Sequence, residues 1–376
     1  MPESGLYIHI PFCLRRCAYC DFDSSVLGDG PEVEKYADAV AIESRASSSF
    51  LPGLTVQTAY LGGGTPTAIG AGPLAGLVDS VFSSFDTSAV VEFTCEANPE
   101  NVDAEILEAV RAFGVNRLSL GIQSFNDALL GWMGRLHTAA EAVAAYEAAR
   151  INDFENVSLD LMYGVPGQTR DGWLDDVSRL IDLEPEHIST YCLQLGSGAP
   201  LVKERRGINL PDDEIAVEMY YAAKEVFEAA GYRHYEISNF AKPGFECRHN
   251  VNYWRNGEYL GLGPSAASHV GGARYTNPHG LDAYTTAVAV GRWPLAAPEP
   301  SDPAREARTA LVLGLRMLEG VDAADFKARY DFGVADTTGE DIGILVDAGL
   351  LEHNGGVVRL TRRGLFLSDE VFSRLI

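Results

Sequence analysis

Short apolar runs of strand length recur through the first half of the chain, and each is followed by a longer segment with helical spacing. Residues 6–10, 58–61, 90–95, 117–122, 157–162 and 187–193 read as strands, because β-branched and aromatic types cluster there between turn-forming residues. Residues 32–47, 74–84, 104–113, 139–151 and 170–183 carry helical periodicity, with Asp171 a candidate N-cap for the last. Strand–helix alternation of this kind predicts parallel strands joined by crossover helices. Six units without a seventh and eighth predict an α/β fold, a partial (β/α)6 barrel of the TIM type. An open doubly wound sheet would share the same pattern. No internal repeat or low-complexity tract interrupts it.

Beyond residue 210 the pattern changes. A helix is expected over 212–231, a strand over 235–240, a loop rich in aromatics and glycine over 247–275, and a helix over 281–290. Pro294, Pro298, Pro300 and Pro303 mark an extended linker. After it come helices at about 305–319, 322–329 and 337–348 and a hairpin over 349–360 with Asn354-Gly355 at its turn. That is a winged-helix outline. The expected organisation is therefore a barrel over 1–210, accessory elements over 211–293, a linker over 294–304 and a small α+β domain over 305–376. The last segment carries nine basic and twelve acidic residues, which argues for packing or interaction rather than DNA.

The residues that follow the strands are polar or glycine. Gly62-Gly63-Gly64-Thr65 follows the second, Glu96 and Asn98 end the third, Gln123 ends the fourth, and Asp160 lies within the fifth. In α/β barrels the ligand site is built at the C-terminal strand ends. After the first strand stand Cys13, Cys17 and Cys20, spaced C-x3-C-x2-C. A 4Fe–4S cube fully ligated by protein takes four thiolates. Three leave one iron open, which is what a reactive metal centre needs. A zinc site short of one ligand, or stray thiols, is the other reading, although zinc signatures come as two pairs and no second pair exists here. Cys95, Cys192 and Cys247 are isolated and read as small buried hydrophobes.

The cysteine spacing resembles the signature of the radical SAM superfamily. Tyr7, His9, Ile10, Pro11 and Phe12 before it, and Tyr19-Cys20-Asp21-Phe22 closing it, are similar to the oxygen-independent coproporphyrinogen III oxidase-like family. The resemblance implies that Cys13, Cys17 and Cys20 hold a 4Fe–4S cluster whose open iron is chelated by S-adenosylmethionine (SAM). Reductive cleavage of SAM in that superfamily yields a 5′-deoxyadenosyl radical. It implies SAM contacts from Tyr7, Tyr19, Gly63, Gly64, Thr65, Glu96, Gln123, Arg135 and Asp160. The chemistry agrees in kind: a sulfonium zwitterion with a ribose wants carboxylates for its cationic parts and hydroxyls, and an arginine for its carboxylate. Read without the family, Arg135 would be a surface residue on a helix.

His249-Asn250-Val251-Asn252-Tyr253-Trp254 matches H-N-x-x-Y-W, which within this family marks the haem chaperones. The resemblance implies a haem role for His249, Asn250, Tyr253 and Trp254, since imidazole is the commonest axial ligand and Tyr and Trp offer broad faces to a porphyrin. Taken bare, a lone histidine beside a Tyr-Trp pair is a core corner with a hydrogen-bonded ring. His137, His269 and Cys247 are other possible ligands.

Two functions remain open on these residues. One is a haem chaperone that takes haem as cargo and passes it to acceptor haem proteins, respiratory ones among them. The other is a radical enzyme that decarboxylates coproporphyrinogen III, or methylates or cyclopropanates another substrate. The decarboxylase carries a fourth cysteine where this chain has Phe22, and a substantial extension where this chain has 12 residues before Cys13. Net charge is −24, with 53 acidic residues against 29 basic, which disfavours nucleic acid and anionic membrane surfaces as partners. No stretch has membrane-span length and the N-terminus has no signal-peptide pattern, so a cytoplasmic location without stable membrane insertion is expected.

Overall fold

The computed structural model describes residues 4–28, 30–196, 198–203, 210–292 and 302–376. Six strands form its parallel core: β1 (Ser4–Ile10), β2 (Val56–Gly63), β3 (Glu92–Ala97), β4 (Arg117–Gln123), β5 (Val157–Tyr163) and β6 (His187–Cys192). The hairpin β7 (Arg233–Glu236) and β8 (Asn239–Ala241) extends one edge, and β9 (Glu258–Leu262), β10 (Ala267–Val270) and β11 (Ala273–Thr276) extend the other. The strand order is β11-β10-β9-β1-β2-β3-β4-β5-β6-β8-β7, with β9 pairing parallel to β1 and β8 antiparallel to β6. Its first and last strands do not pair with each other, so the barrel is partial, as the six expected units imply. The parallel β9 is a seventh strand that the sequence reading had placed in a loop.

The helices α1 (Glu32–Phe50), α2 (Ala71–Phe82), α3 (Ala104–Ala112), α4 (Asp127–Met133), α5 (Ala139–Ile151), α6 (Arg170–Asp182) and α7 (Asp213–Ala229) make the crossovers. Local chemistry sets their starts. Asp103 caps α3 by accepting from Ile106 N, and Thr138 and Glu141 form a reciprocal capping box on α5. Thr169, not Asp171, caps α6, because its hydroxyl accepts from Gly172 N while Asp171 lies in the first turn.

Alternation along the strands separates two faces. Leu6, Ile8, Leu61, Phe93, Leu118, Leu120, Leu159 and Ile188 are buried in the main apolar core beneath the helices. Each buried side chain of this size contributes about 1.5–3 kcal/mol. The alternate positions, among them Tyr7, Thr58, Tyr60, Glu92, Glu96, Arg117, Ser119, Ser158, Asp160 and His187, form a polar concave face. A short helix, α8 (Arg248–Trp254), plugs that face near the N-terminal strand ends. It is held by Glu92, whose carboxylate accepts from Arg248 N and His249 N, each at 3.0 Å. Cys247 N reaches Tyr235 Oη at 3.3 Å. One helix touching β3 and β7, far apart in strand order, reflects how strongly the sheet curls.

Two sequence expectations are corrected here. Residues 235–240 are not one strand, because Ile237 and Ser238 turn the chain between β7 and β8. Residues 247–275 are not a loop but α8 and most of three strands; the glycines serve close approach rather than disorder. A Cβ on Gly263 would stand 2.5 Å from His9 O.

After α9 (Leu281–Ala289) the expected linker falls mostly outside the described residues, while Pro303 opens α10 (Pro303–Gly314) with Asp302 as its cap. There follow β12 (Val321–Asp322), α11 (Ala323–Tyr330), α12 (Val334–Thr338), α13 (Asp341–Asp347), β13 (Leu351–Asn354), β14 (Val357–Leu360), α14 (Arg362–Phe366) and α15 (Ser368–Leu375). The hairpin forms as expected but turns at Gly355-Gly356, one position past the expected Asn354-Gly355, because both turn positions take positive φ; β12 adds a third strand to it. Leu311, Leu315, Phe326, Val358 and Val371 centre a second apolar cluster. No helix among the described residues is long and apolar enough to cross a membrane.

Candidate functional site

The cysteines lie on the loop after β1, above the polar concave face. Ala18 N bonds to Met133 O at 3.0 Å, and Leu27 N to Cys13 O at 2.8 Å, so both ends of the loop are tied down. The glycine segment after β2 packs directly beneath it: Gly64 N donates to Ile10 O and Thr65 N to Phe12 O. Only glycine fits here. A Cβ on Gly64 would lie 2.5 Å from Phe12 O, and Gly63 has φ 109° with the His9 ring where a side chain would go.

Cys13, Cys17 and Cys20 are all half-buried and line one cavity of about 1000 Å³ together with Tyr19, Gly63, Gly64, Thr65, Glu96, Gln123, Arg135 and Asp160. Of the expected SAM contacts only Tyr7 lies outside it, on an adjoining cavity of about 830 Å³ that shares Tyr60 and Glu96. Thr65 Oγ1 is 3.7 Å from Cys13 Sγ and Arg135 Nη1 is 3.4 Å from Cys17 Sγ. Burial pushes the Cys13 thiol up and the Cys20 thiol up to about 11. These thiols therefore need a strongly attracting metal to ionise. Among the described residues, no three His, Cys, Asp or Glu side chains converge tightly enough for a single metal ion. Three thiols on one anchored loop over a glycine cradle, with two hydrogen-bond donors aimed at sulfur, fit a thiolate-held cluster.

Arg135 is not a surface residue. It follows the left-handed cap Gly134 of α4 and turns inward, where Nη2 donates to Asn98 Oδ1 at 2.7 Å and Gly121 O at 2.6 Å. Its Nε is buried without a partner. Two residues on, the Glu100 carboxylate accepts from His137 Nδ1 at 3.0 Å, and Nε2 of the same ring lies 3.1 Å from Ile122 O. This pair of clamps on β4 precedes Gln123, whose φ is 65° and whose Oε1 accepts from Tyr191 Oη at 2.8 Å.

The two carboxylates face the cavity from β3 and β5, on either side of β4. Glu96 accepts from Tyr60 Oη at 2.8 Å and Gly63 N at 3.2 Å. Asp160 accepts from Ser119 and Ser158. Burial pushes Glu96 up to about 7, with Asp160's charge adding to it, and burial pushes Asp160 up to about 6. A cationic ligand would recover that cost. Tyr60, Ser119 and Tyr191 were missed from the sequence. Period-2 alternation of polar residues inside otherwise apolar strands was the signal that would have found them.

The H-N-x-x-Y-W residues divide. His249 is fully buried; its Nδ1 lies 2.9 Å from Thr58 Oγ1 and its Nε2 2.8 Å from Tyr253 Oη. Binding iron would require the ring to give up one of these partners. His249, Asn250 and Tyr253 all line the smaller cavity, and Trp254 the larger. Of the other expected ligands, His137 is engaged at both nitrogens. His269 sits 3.0 Å from Gly257 O and 2.8 Å from the Glu306 carboxylate. Cys247 is buried with Sγ 3.6 Å from Glu92.

Comparison with known proteins identifies the family and the fold. The radical SAM superfamily profile matches residues 7–180 and the HemN C-terminal domain profile residues 302–367. A protein named heme chaperone HemW from Lactococcus lactis is 33% identical over 100% of this chain and 97% of its own length. A Bacillus subtilis protein of the same name is 34% identical over 98% of each. The crystal structure of coproporphyrinogen III oxidase (HemN) from Escherichia coli, a radical SAM enzyme, superposes with a TM-score of 0.88 at 23% identity. That likeness covers 100% of this chain and 90% of the enzyme and concerns the fold.

Proposed function

The chain belongs to the radical SAM superfamily, within its HemN-like family and with the HemW proteins there, and from that premise we propose that it is a haem chaperone. It binds haem as cargo and delivers it to acceptor haem proteins, haem enzymes of respiration among them, while carrying a 4Fe–4S cluster and SAM. What supports the reading is one juxtaposition. The H-N-x-x-Y-W helix lends His249, Asn250 and Tyr253 to the smaller cavity and Trp254 to the larger one that the three cysteines also line, so cargo and cluster would share one enclosure.

Cys13, Cys17 and Cys20 would hold the cluster. When bound, it supplies an electron and an iron open to SAM's amino and carboxylate groups. Glu96 and Asp160 take the ligand's cationic and hydroxyl groups, Arg135 offers its unpartnered Nε to a carboxylate, and Gly63 and Gly64 let the backbone approach. Tyr7 and Tyr19 close the pocket from the strand and the loop.

The test is anaerobic. Cluster-reconstituted protein is titrated with haem, then mixed with an apo-haemoprotein; in parallel it is incubated with SAM, reductant and coproporphyrinogen III. Stoichiometric haem uptake and transfer without decarboxylation are expected. Protoporphyrinogen and 5′-deoxyadenosine accumulating together would replace the chaperone reading with the decarboxylase.

A further inference from the structure

At the end of the large cavity away from the cysteines, four buried polar atoms lack a partner: Trp254 Nε1, Arg316 Nε, Glu236 Oε2 and Asn239 Oδ1. They come from separate elements. Trp254 ends α8, Glu236 and Asn239 flank the β7–β8 turn, and Arg316 follows α10. Glu236 is fully buried and Asn239 is 7% exposed. Arg316 lies over the Trp254 ring, 4.3 Å from guanidinium carbon to centroid, with Nη2 3.9 Å from Glu236. The guanidinium is further held by Phe372, 5.9 Å away. Native folds leave few such groups unsatisfied, so four on one cavity mark a prepared site. The same cavity carries apolar and aromatic side chains, Met162, Tyr163, Leu193, Tyr220 and Phe366, among polar ones such as Asp160, Ser189 and Thr190.

We propose that Arg316 and Trp254 form a carboxylate subsite that receives a propionate of the haem cargo, the macrocycle lying against those apolar and aromatic side chains. The inference rests on the chaperone reading. Arg316 stacked over Trp254 leaves its Nε–H and the indole N–H both without a partner on one cavity, two donors for one carboxylate. Glu236 is an acceptor at the same end; burial pushes its carboxyl up against the opposing Arg316 charge, which weakens its repulsion of an anion. The flat cargo would thus span the distance from the chaperone motif to the C-terminal elements that close this end, Phe366 among them.

The experiment titrates cluster-reconstituted full-length protein with haem and with haem dimethyl ester, following visible absorption. Wild type should bind haem about tenfold to a hundredfold more tightly than the ester, the range of a charged hydrogen bond. Arg316→Gln should bind haem as weakly as wild type binds the ester, and should treat the ester as wild type does. Arg316→Lys should recover part of the difference, and Trp254→Phe should lose a smaller part. Equal affinity of wild type for acid and ester, or an unchanged haem affinity in Arg316→Gln, overturns the subsite and leaves the chaperone reading standing. No haem uptake by wild type overturns that reading first. If Arg316→Gln fails to fold, judged by melting and cluster content, the acid–ester comparison on wild type decides alone.

Discussion

The cysteine rim and the α8 plug carry the two sequence signatures, and they are built in opposite ways. At the rim, donors and acceptors are held ready without being used up: three half-buried thiols, an arginine with a spare Nε, and two carboxyls pushed up by burial. In the plug, His249 spends both ring nitrogens inside the protein, and Glu92 saturates the first turn of the helix. All four motif residues face a cavity, but only Asn250 and Trp254 do so without a hydrogen bond to another motif side chain. A rim poised for ligands and a plug that is mostly frame respond differently to substitution.

The largest expected contrast is at the rim. Cys17→Ala should remove essentially all cluster iron and its visible absorption from anaerobically reconstituted protein, while haem uptake persists. If iron and haem binding vanish together, the two sites are one.

The plug should respond in stability. His249→Ala leaves Thr58 and Tyr253 without their partner in a dry site and should cost about 3 kcal/mol or more in urea unfolding. A variant of unchanged stability that has lost haem binding would make His249 a ligand and end the contrast. The pH dependence has a definite sign. Burial, with the Arg117 charge adding to it, lowers His249 to about 3, and burial lowers His234 to about 4. Such rings stay neutral when folded and gain a proton only on unfolding, below about 6.5. Their contribution is therefore complete above about 6.5 and is lost as pH falls toward 3–4, at up to about 1.4 kcal/mol per pH unit per ring. Unfolding curves of His249→Gln should be less steep in pH than wild type over that window.

Glu96→Gln comes next. Losing a charged acceptor should weaken SAM binding about tenfold or more by calorimetry, with cluster content kept. Because the empty site holds Glu96 at about 7, wild-type SAM affinity should rise with pH up to about 7 and then level off. A Glu96→Gln profile of the same shape would remove Glu96 from the pocket.

The parallel core and the rim were legible because their signals are local. An apolar run with a cysteine cluster or a glycine triplet at its end survives being read one segment at a time. What stayed hidden depends on curl. Arg135 looks like a surface helix residue until β4 and the cysteine loop converge on it. Residues 247–275 look like a loop, because α8 is capped by a carboxylate from β3, 155 residues away from Cys247 in the chain. Arg316 and Glu236 acquire meaning only when the C-terminal segment is laid against the β7–β8 turn.

The smallest effect expected is also the most discriminating between frame and ligand. Gln123 adopts a left-handed conformation, which a non-glycine residue holds at a cost of about 1 kcal/mol or more. Gln123→Gly relieves that strain but deletes the bond from Tyr191 and adds chain entropy to the unfolded state. These terms oppose one another, so unfolding stability should change by less than about 1 kcal/mol. If the strain exists to aim the side chain at a ligand, SAM affinity should still fall severalfold while stability stays put. If Gln123 only caps β4, the affinity should not move. Gln123 would then belong with His249 in the frame, and the rim's ligand-facing set would be one residue smaller than the sequence implied.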